Sequence, residues 1–270
     1  MMLKNITLGQ YFPGNSLIHR LDPRTKLLAT IALIAIVFVA QGFSGFLVIA
    51  AFVLLCAVST GIHLKFLIRG LKPIFFIILF TFILNLFFQT GGETLVHVGF
   101  IRITEDGLRM ASFMAARLIL LVVCSQLLTL TTSPISLTDG LETLFRPLEV
   151  IHFPAHEIAM MMSIALRFIP TLMDEADKIM KAQKARGANF EQGSVIERAK
   201  AMVPLLVPLF VGAFRRAEEL ALAMDARCYR GGTGRTRMKQ LKFQFIDLLA
   251  ALVLLGLLAV VIVLNHFKVF

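Results

Sequence analysis

Tryptophan is missing from this 270-residue chain, tyrosine occurs twice and cysteine three times, and only 16% of the residues are charged. So little charge excludes an ordinary soluble domain, in which about a quarter of residues are charged. Cys56, Cys124 and Cys228 are widely separated, two of them inside apolar runs, which argues against a disulfide framework and a metal site. The six histidines are scattered; His152 and His156 have i, i+4 spacing, but Pro154 lies between them and no third ligand is near, so neither metal nor cofactor is expected. No carboxylate pair, Ser/His/Asp set or metal cluster lies in or beside an apolar run, which leaves a membrane-embedded enzyme without groups for its chemistry. A phosphate loop is also missing: Gly231-Gly232-Thr233-Gly234-Arg235 lacks the spacing and the Lys-Ser/Thr pair, and reads as a flexible basic linker. The first 20 residues lack the apolar segment of a cleavable signal and contain Asn5, Gln10 and Pro13.

What is present is apolar surface, with 57% hydrophobic residues and a mean hydropathy of +0.81. A spanning helix needs roughly 20 mostly apolar residues. Candidates are Leu27–Ala40, Phe43–Val58, Pro73–Phe88, Leu108–Leu130 and Ile246–Leu264. The first two are separated by Gln41, Gly42, Ser44 and Gly45, a turn-prone stretch; unbroken, they would make a helix of about 48 Å, too long for one crossing. Lys4, Arg20, Arg24 and Lys26 precede the first span, and Lys65, Arg69 and Lys72 fill the second loop, whereas the opposing loops and tail hold Arg102, Arg109 and Lys268. Basic loops stay cytoplasmic, so the N-terminus is expected on the cytoplasmic side of a cell membrane that the chain crosses with five spans.

Residues 132–245 then also lie inside, with 16 of the 27 basic residues. Pro134 and Pro147 bracket a short helix and Pro154 opens a long one, in which Ile158, Met161, Ala165, Phe168, Leu172, Ala176, Ile179, Gln183 and Arg186 recur at helical steps. Pro170 is expected to kink it. A second long helix repeats the pattern with Ala199, Val203, Leu206, Phe210, Ala213, Ala217, Leu220, Met224 and Arg227, a seam suited to packing on another helix. Its stretch Met202–Phe214 is apolar all round and allows two alternatives, an interfacial helix or a sixth span. The fold class is therefore all-α: a polytopic membrane bundle of about five spans with a cytoplasmic coupling domain of crossed amphipathic helices. The expected organisation is residues 1–131 with four spans, 132–245 as the coupling domain and 246–270 as the last span and tail.

Each long helix closes on an arginine in phase with its seam, in Ala185-Arg186-Gly187 and Ala226-Arg227-Cys228. Gly187 suits a left-handed helix stop. An arginine in a last turn complements the helix dipole by about 0.3–1 kcal/mol whatever binds it; two matched instances on the only bulky polar block favour docking.

These motifs, with Leu21-Asp22-Pro23-Arg24-Thr25-Lys26, Arg167-Phe168-Ile169-Pro170, the run Phe214–Ala221 and Tyr229-Arg230-Gly231-Gly232, resemble those of the transmembrane T subunit of energy-coupling factor transporters over nearly the whole chain. The resemblance implies a scaffold between two cytoplasmic ABC-type ATPase subunits and a membrane-embedded substrate-binding S-component, for uptake of vitamins or transition-metal ions. It implies that both arginine motifs end crossed coupling helices and dock in ATPase grooves. Phe168, Leu172, Phe210, Ala213, Ala217 and Leu220 are the candidate packing residues between those helices. Cys228 stands where the family pattern has glycine, so the second helix stops either at the motif or at Gly231-Gly232. The bilayer is a further partner and nucleic acid is not.

The alternative function is a secondary permease, whose usual mark is an ionisable pathway at the bilayer midplane. Only Arg117 sits well inside an expected span; it faces the bundle interior or an S-component, or snorkels to the interface. Asn85 reads as a helix-packing contact. With no phosphate loop, the purified, ATPase-free chain is expected neither to bind nor to hydrolyse ATP; turnover in a radiolabelled-phosphate release assay would overturn this.

Overall fold

The computed structural model describes residues 11–88, 91, 94–98, 101–188, 190, 194–231 and 241–267. They fall into two compact units, one within 9–140 and 240–270 and the other within 141–239. The first contains helices α1 (Leu17–Arg20), α2 (Pro23–Val39), α3 (Phe43–Ser59), α4 (Leu64–Leu71) and α5 (Phe75–Phe88). Strands β1 (Thr94–Val98) and β2 (Ile101–Thr104), then α6 (Glu105–Thr131), follow, with α10 (Phe245–His266) at the end of the chain.

Helix α2 begins at Asp22, whose carboxylate accepts the Arg24 N–H at 2.9 Å, with Pro23 in the first turn, where its missing N–H costs nothing. At the same end, the almost fully buried Lys26 ammonium donates to the Thr131 carbonyl at 2.9 Å and to the His19 carbonyl at 3.0 Å. At the other end of α2, Arg117 Nη2 donates to the Ala40 carbonyl at 3.3 Å, and the guanidinium lies 5.6 Å from the Phe38 ring centroid and 5.7 Å from that of Phe46. The two helices are therefore antiparallel, and each carries a cation on the C-terminal carbonyls of the other. This is where a helix dipole favours positive charge.

Helix α10 is pinned to α2 at both ends. Asp247 accepts the Asp22 N–H at 2.9 Å and the Gln244 N–H at 2.7 Å; Asn265 accepts from the Gln41 N–H at 3.2 Å and donates to the Val39 carbonyl at 2.8 Å. Between these clamps lies an apolar core of Ile36, Val37, Phe46, Ile49, Val53, Leu127, Val261 and neighbours, with Cys124 buried in it. The α4–α6 approach depends on Gly70, where a Cβ would collide with the Gln126 amide.

Several expectations change. Helix α3 starts at Phe43, so the turn is Gln41-Gly42, and Ser44 and Gly45 belong to the helix. The basic second loop is largely helical, as α4, and residues 65–71 meet α5 at a 61° bend. Helix α5 starts at Phe75, two residues beyond the proline expected to open it. The fold is all-helical apart from one short hairpin, in which β1 and β2 pair antiparallel, Val98 opposite Ile101. Among the described residues, α6 and α10 alone are singly long and apolar enough to cross a membrane, with the bent pair as a third route. Helices α2 and α3, at 17 residues each, measure about 25 Å against a hydrocarbon core of about 30 Å. Arg117 faces the bundle interior, and Asn85 donates to the Thr81 carbonyl of its own helix at 2.8 Å, not to a neighbouring helix.

Arg117→Met is expected to leave the Ala40 carbonyl without its donor and to destabilise the protein by about 1–3 kcal/mol. Lys26→Met should cost more, about 3–5 kcal/mol, because the buried Asp22 and Asp247 lose their neighbouring cation. Thermal unfolding in detergent, read by intrinsic-cysteine reactivity, ranks the two; midpoints equal to wild type would contradict the clamp.

Candidate docking site

The second unit is built on two long helices. Helix α7 (Pro134–Phe145) enters it, a 3-10 turn follows at Arg146–Ile151, and His152 takes a left-handed conformation at φ 63°. Helix α8 (Ala155–Ala185) begins after Pro154, and α9 (Val195–Ala226) begins at Ser194. Ser194 and Glu197 form a reciprocal cap: the Glu197 N–H donates to Ser194 Oγ at 3.3 Å and the Ser194 N–H to Glu197 Oε2 at 2.8 Å. At 31 and 32 residues each helix is about 47 Å long. Helix α8 continues through Pro170, and α9 through Pro204 and Pro208.

The helices meet where Arg216 Nη2 donates to Glu175 Oε2 at 2.6 Å. A Cβ on Gly212 would come within 2.8 Å of the same carboxylate, so the glycine admits the close approach. Met160 and Ile164 of α8 share a cavity of about 430 Å³ with Leu220 and Met224 of α9. Because positions early in α8 face positions late in α9, the pair runs antiparallel.

Phe168 and Leu172 are half-buried on α8, as are Ala213 and Leu220 on α9. Phe210, however, is 59% exposed, and Ala217, Val203 and Leu206 are exposed too. The half-buried stripe of α9 is instead Ala201, Leu205, Leu209, Gly212, Ala213, Arg216, Leu220 and Met224. Both stripes step by threes and fours on an apolar stretch, so periodicity alone does not choose between them. The chosen stripe contains Gly212 and Arg216, the two residues that accommodate Glu175.

The two arginine motifs have the same backbone geometry. Arg186 ends α8 at φ −85° and ψ 7°, and Arg227 ends α9 at φ −92° and ψ 12°. Gly187 follows at φ 89° and Cys228 at φ 55°. The Gly187 N–H donates to the Lys184 carbonyl and the Ala188 N–H to that of Gln183, both at 3.0 Å; the Cys228 N–H donates to Asp225 at 2.8 Å and the Tyr229 N–H to Met224 at 3.0 Å. Both sets are Schellman stops, with the paired bonds that consume the last free carbonyls. The second helix therefore ends at the motif and does not run on to Gly231. Cys228 does there what glycine does in the first stop, at the cost of about 1–2 kcal/mol for a side chain in the left-handed region. Ala185, Arg186, Gly187, Ala226, Arg227 and Cys228 are all exposed.

Sequence reading missed a polar link behind the second stop. His156 Nδ1 lies 2.9 Å from Glu142 Oε1, and its Nε2 lies 3.4 Å from the Tyr229 hydroxyl. These residues are 14 and 73 positions apart, beyond any local signal. Among the described residues no group of three or more His, Cys, Asp or Glu is placed to hold a metal. Gly232–Arg235, expected to be a linker, lies outside the described residues.

Residues 14–239 match the family described as cobalt transport protein. The energy-coupling factor transporter transmembrane protein EcfT of Thermosediminibacter oceani is 56% identical over 265 residues, covering 98% of this chain and 99% of its own. The protein of the same name from Clostridium kluyveri is 53% identical over 96% of both chains. That of Bacillus subtilis is 50% identical over 89% of this chain and 91% of its own.

Cys228→Gly is expected to relieve the left-handed strain and stabilise the last turn of α9 by about 1–2 kcal/mol, and Cys228→Val to destabilise it. Hydrogen exchange at the amides of Cys228 and Tyr229 reads both; slower exchange in the valine variant would contradict the stop.

Proposed function

This chain belongs to the family of energy-coupling factor transporter transmembrane proteins, and from that premise we propose that its second unit couples two ABC-type ATPase subunits to a membrane-embedded S-component. It is a membrane protein and the transmembrane component of such a transporter. The observation that carries the coupling role is the duplication of one local geometry: two exposed arginines, each held just after a helix of about 47 Å by the same rigid stop. A guanidinium fork so presented grips carboxylates and backbone carbonyls in a partner's groove. ATP-driven closure of the two ATPases then changes the crossing of α8 and α9 about the Glu175–Gly212–Arg216 contact.

The apolar face of α9 supports an S-component contact. Val203, Val207, Phe210 and Phe214 are all more than half exposed, whereas soluble surfaces rarely present so continuous an apolar stripe. At 32 residues this helix is long enough to cross a membrane, but its apolar stretch is bounded by Lys200 and Arg215 and is shorter than a crossing needs, so it serves as an interfacial element, not a sixth span. The basic N-terminal segment and α4 lie on the cytoplasmic side, and α2, α3, α5, α6 and α10 are the five membrane passes. Substrate selection belongs to the S-component, for a vitamin or a transition-metal ion. The permease reading is weakened because Arg117, the ionisable group in the middle of α6, spends a guanidinium N–H on the Ala40 carbonyl, and the buried Lys26 and Asp247 lie at helix ends, engaged with backbone groups.

In a desolvated groove, truncating a hydrogen-bonded arginine costs about 2–5 kcal/mol, or roughly 30-fold to several thousandfold in affinity. Arg186→Ala and Arg227→Ala are each expected to leave a partly assembled complex, and the double variant to lose ATP-driven uptake while inserting normally. Lysine at either position should rescue weakly, since a point charge does not reproduce a bidentate fork. Pull-down of both ATPases from detergent extracts, with uptake measured in parallel, decides; full assembly and uptake in the double variant would reduce both arginines to ordinary helix ends.

A further inference from the structure

The two helix stops of the second unit differ in the residues that make them. At the first, Gly187 turns left-handed at φ 89° and Ala188 follows; at the second, Cys228 does so at φ 55° and Tyr229 follows. Glycine enters this region freely, whereas the cysteine Cβ crowds the backbone there. Both stops are closed by the same pair of backbone bonds at similar lengths. Those bonds alone therefore give the second stop nothing to set against the penalty that its cysteine carries.

A run of side-chain bonds that ends at the next residue does. The carboxylate of Glu142 only accepts, so His156 Nδ1, 2.9 Å from its Oε1, carries the proton. In the neutral ring Nε2 is then an acceptor, and it faces the Tyr229 hydroxyl at 3.4 Å. The His156 and Glu142 side chains are only 26% and 14% exposed, so water competes little for these bonds. Tyr229 is half-buried and lines the cavity behind the stop together with Met160 and Ile164 of α8 and Met224 of α9. Its backbone N–H is the one that closes the stop on the Met224 carbonyl. Holding the ring in place holds that bond and, one residue back, the turn at Cys228. Ala188, at the matching place after Gly187, has no polar side-chain atom and cannot be tied in this way.

We propose that Glu142, His156 and Tyr229 are positioning residues for the second arginine. By fixing the Tyr229 ring against the start of α8, this brace keeps Cys228 left-handed, and so keeps Arg227 at the tip of α9 instead of letting the helix run on toward Gly231. The first tip, built with glycine, works without a brace. Because the three residues act through the conformation at position 228, their importance should vanish when that position is glycine. A bond that only added stability to the unit would matter equally with either residue there. That Arg227, so placed, meets an ATPase rests on the docking reading given above.

Hydrogen exchange on the full-length chain in detergent micelles tests the brace at the amides of positions 228 and 229, with those of Gly187 and Ala188 as internal reference. Tyr229→Phe removes only the hydroxyl and is expected to speed exchange at 228 and 229 about threefold, the weight of one long neutral hydrogen bond. His156→Asn, whose amide occupies the Nδ1 position but offers nothing at Nε2, should do the same. In a Cys228→Gly background either change should alter exchange by less than about 1.5-fold, and Gly187 and Ala188 should exchange at wild-type rates throughout. No effect of Tyr229→Phe, or the same effect with glycine at position 228, would overturn the proposal. In the assembled complex, ATPase affinity in pull-down should fall about threefold in Tyr229→Phe. It should recover when Cys228→Gly is added, and Tyr229→Phe should cause no further loss on top of Arg227→Ala. A loss that glycine does not restore would make the hydroxyl a direct ATPase contact and overturn the positioning role. If Arg227→Ala itself leaves ATPase retention unchanged, the docking reading falls, while the exchange cycle still decides the brace.

Discussion

Two cations hold the membrane unit in register. Lys26 reaches from the start of α2 to the last carbonyls of α6, and Arg117 reaches from the middle of α6 to the last carbonyl of α2. In lipid a free carbonyl has no water to turn to and costs several kcal/mol. The ends of α2 and α6 are therefore the places where this bundle is most at risk, and the same charges that repair them set the length of the overlap. An apolar interface alone tolerates sliding by a helical turn, since Leu, Ile and Val offer similar contacts at each step. A guanidinium on one carbonyl does not.

Asp22 and Asp247 extend this logic to α10. Each carboxylate caps its own helix, and Asp247 also accepts the N–H that opens the α2 cap. Asn265 repeats the arrangement at the opposite end with both halves of its amide. With α2 and α10 fixed at their ends, Ile36 and Val37 of one helix and Leu257 and Val261 of the other are held in the buried core.

In the second unit the same need, satisfying the end of a helix, is met by the backbone alone. A Schellman stop closes the carbonyls of the last turn on the backbone itself, which leaves the arginine side chain unencumbered at the tip. In the proposed coupling role the Glu175–Gly212 contact is the pivot, and Arg186 and Arg227 stand about 17 Å and about 23 Å from it along their helices, so a modest change in crossing moves each tip by a few ångströms. Tyr229, tied through His156 to Glu142, gives the second tip a support behind its backbone.

The sequence by itself determined what depends on neighbours along the chain. The apolar runs place α3, α6 and α10 within a few residues of their observed ends, Pro154 and Gly187 bound α8, and the two Ala-Arg motifs mark both tips, because helix length, proline entry and glycine exit are set within a turn or two. Family membership is legible for the same reason, since its motifs are short and local. Tertiary structure alone decided the rest. It chose between two equally periodic stripes on α9 by where Glu175 meets Gly212 and Arg216. It gave Arg117 a carbonyl 77 positions away in sequence, and joined Asp22 to Asp247 across 225. It put Cys228 into a conformation that its side chain disfavours, because the two paired backbone bonds of the stop close only if that residue turns left-handed. In each case the partner lies far along the chain or the backbone answers to a geometry no single residue prefers, so nothing local could announce it.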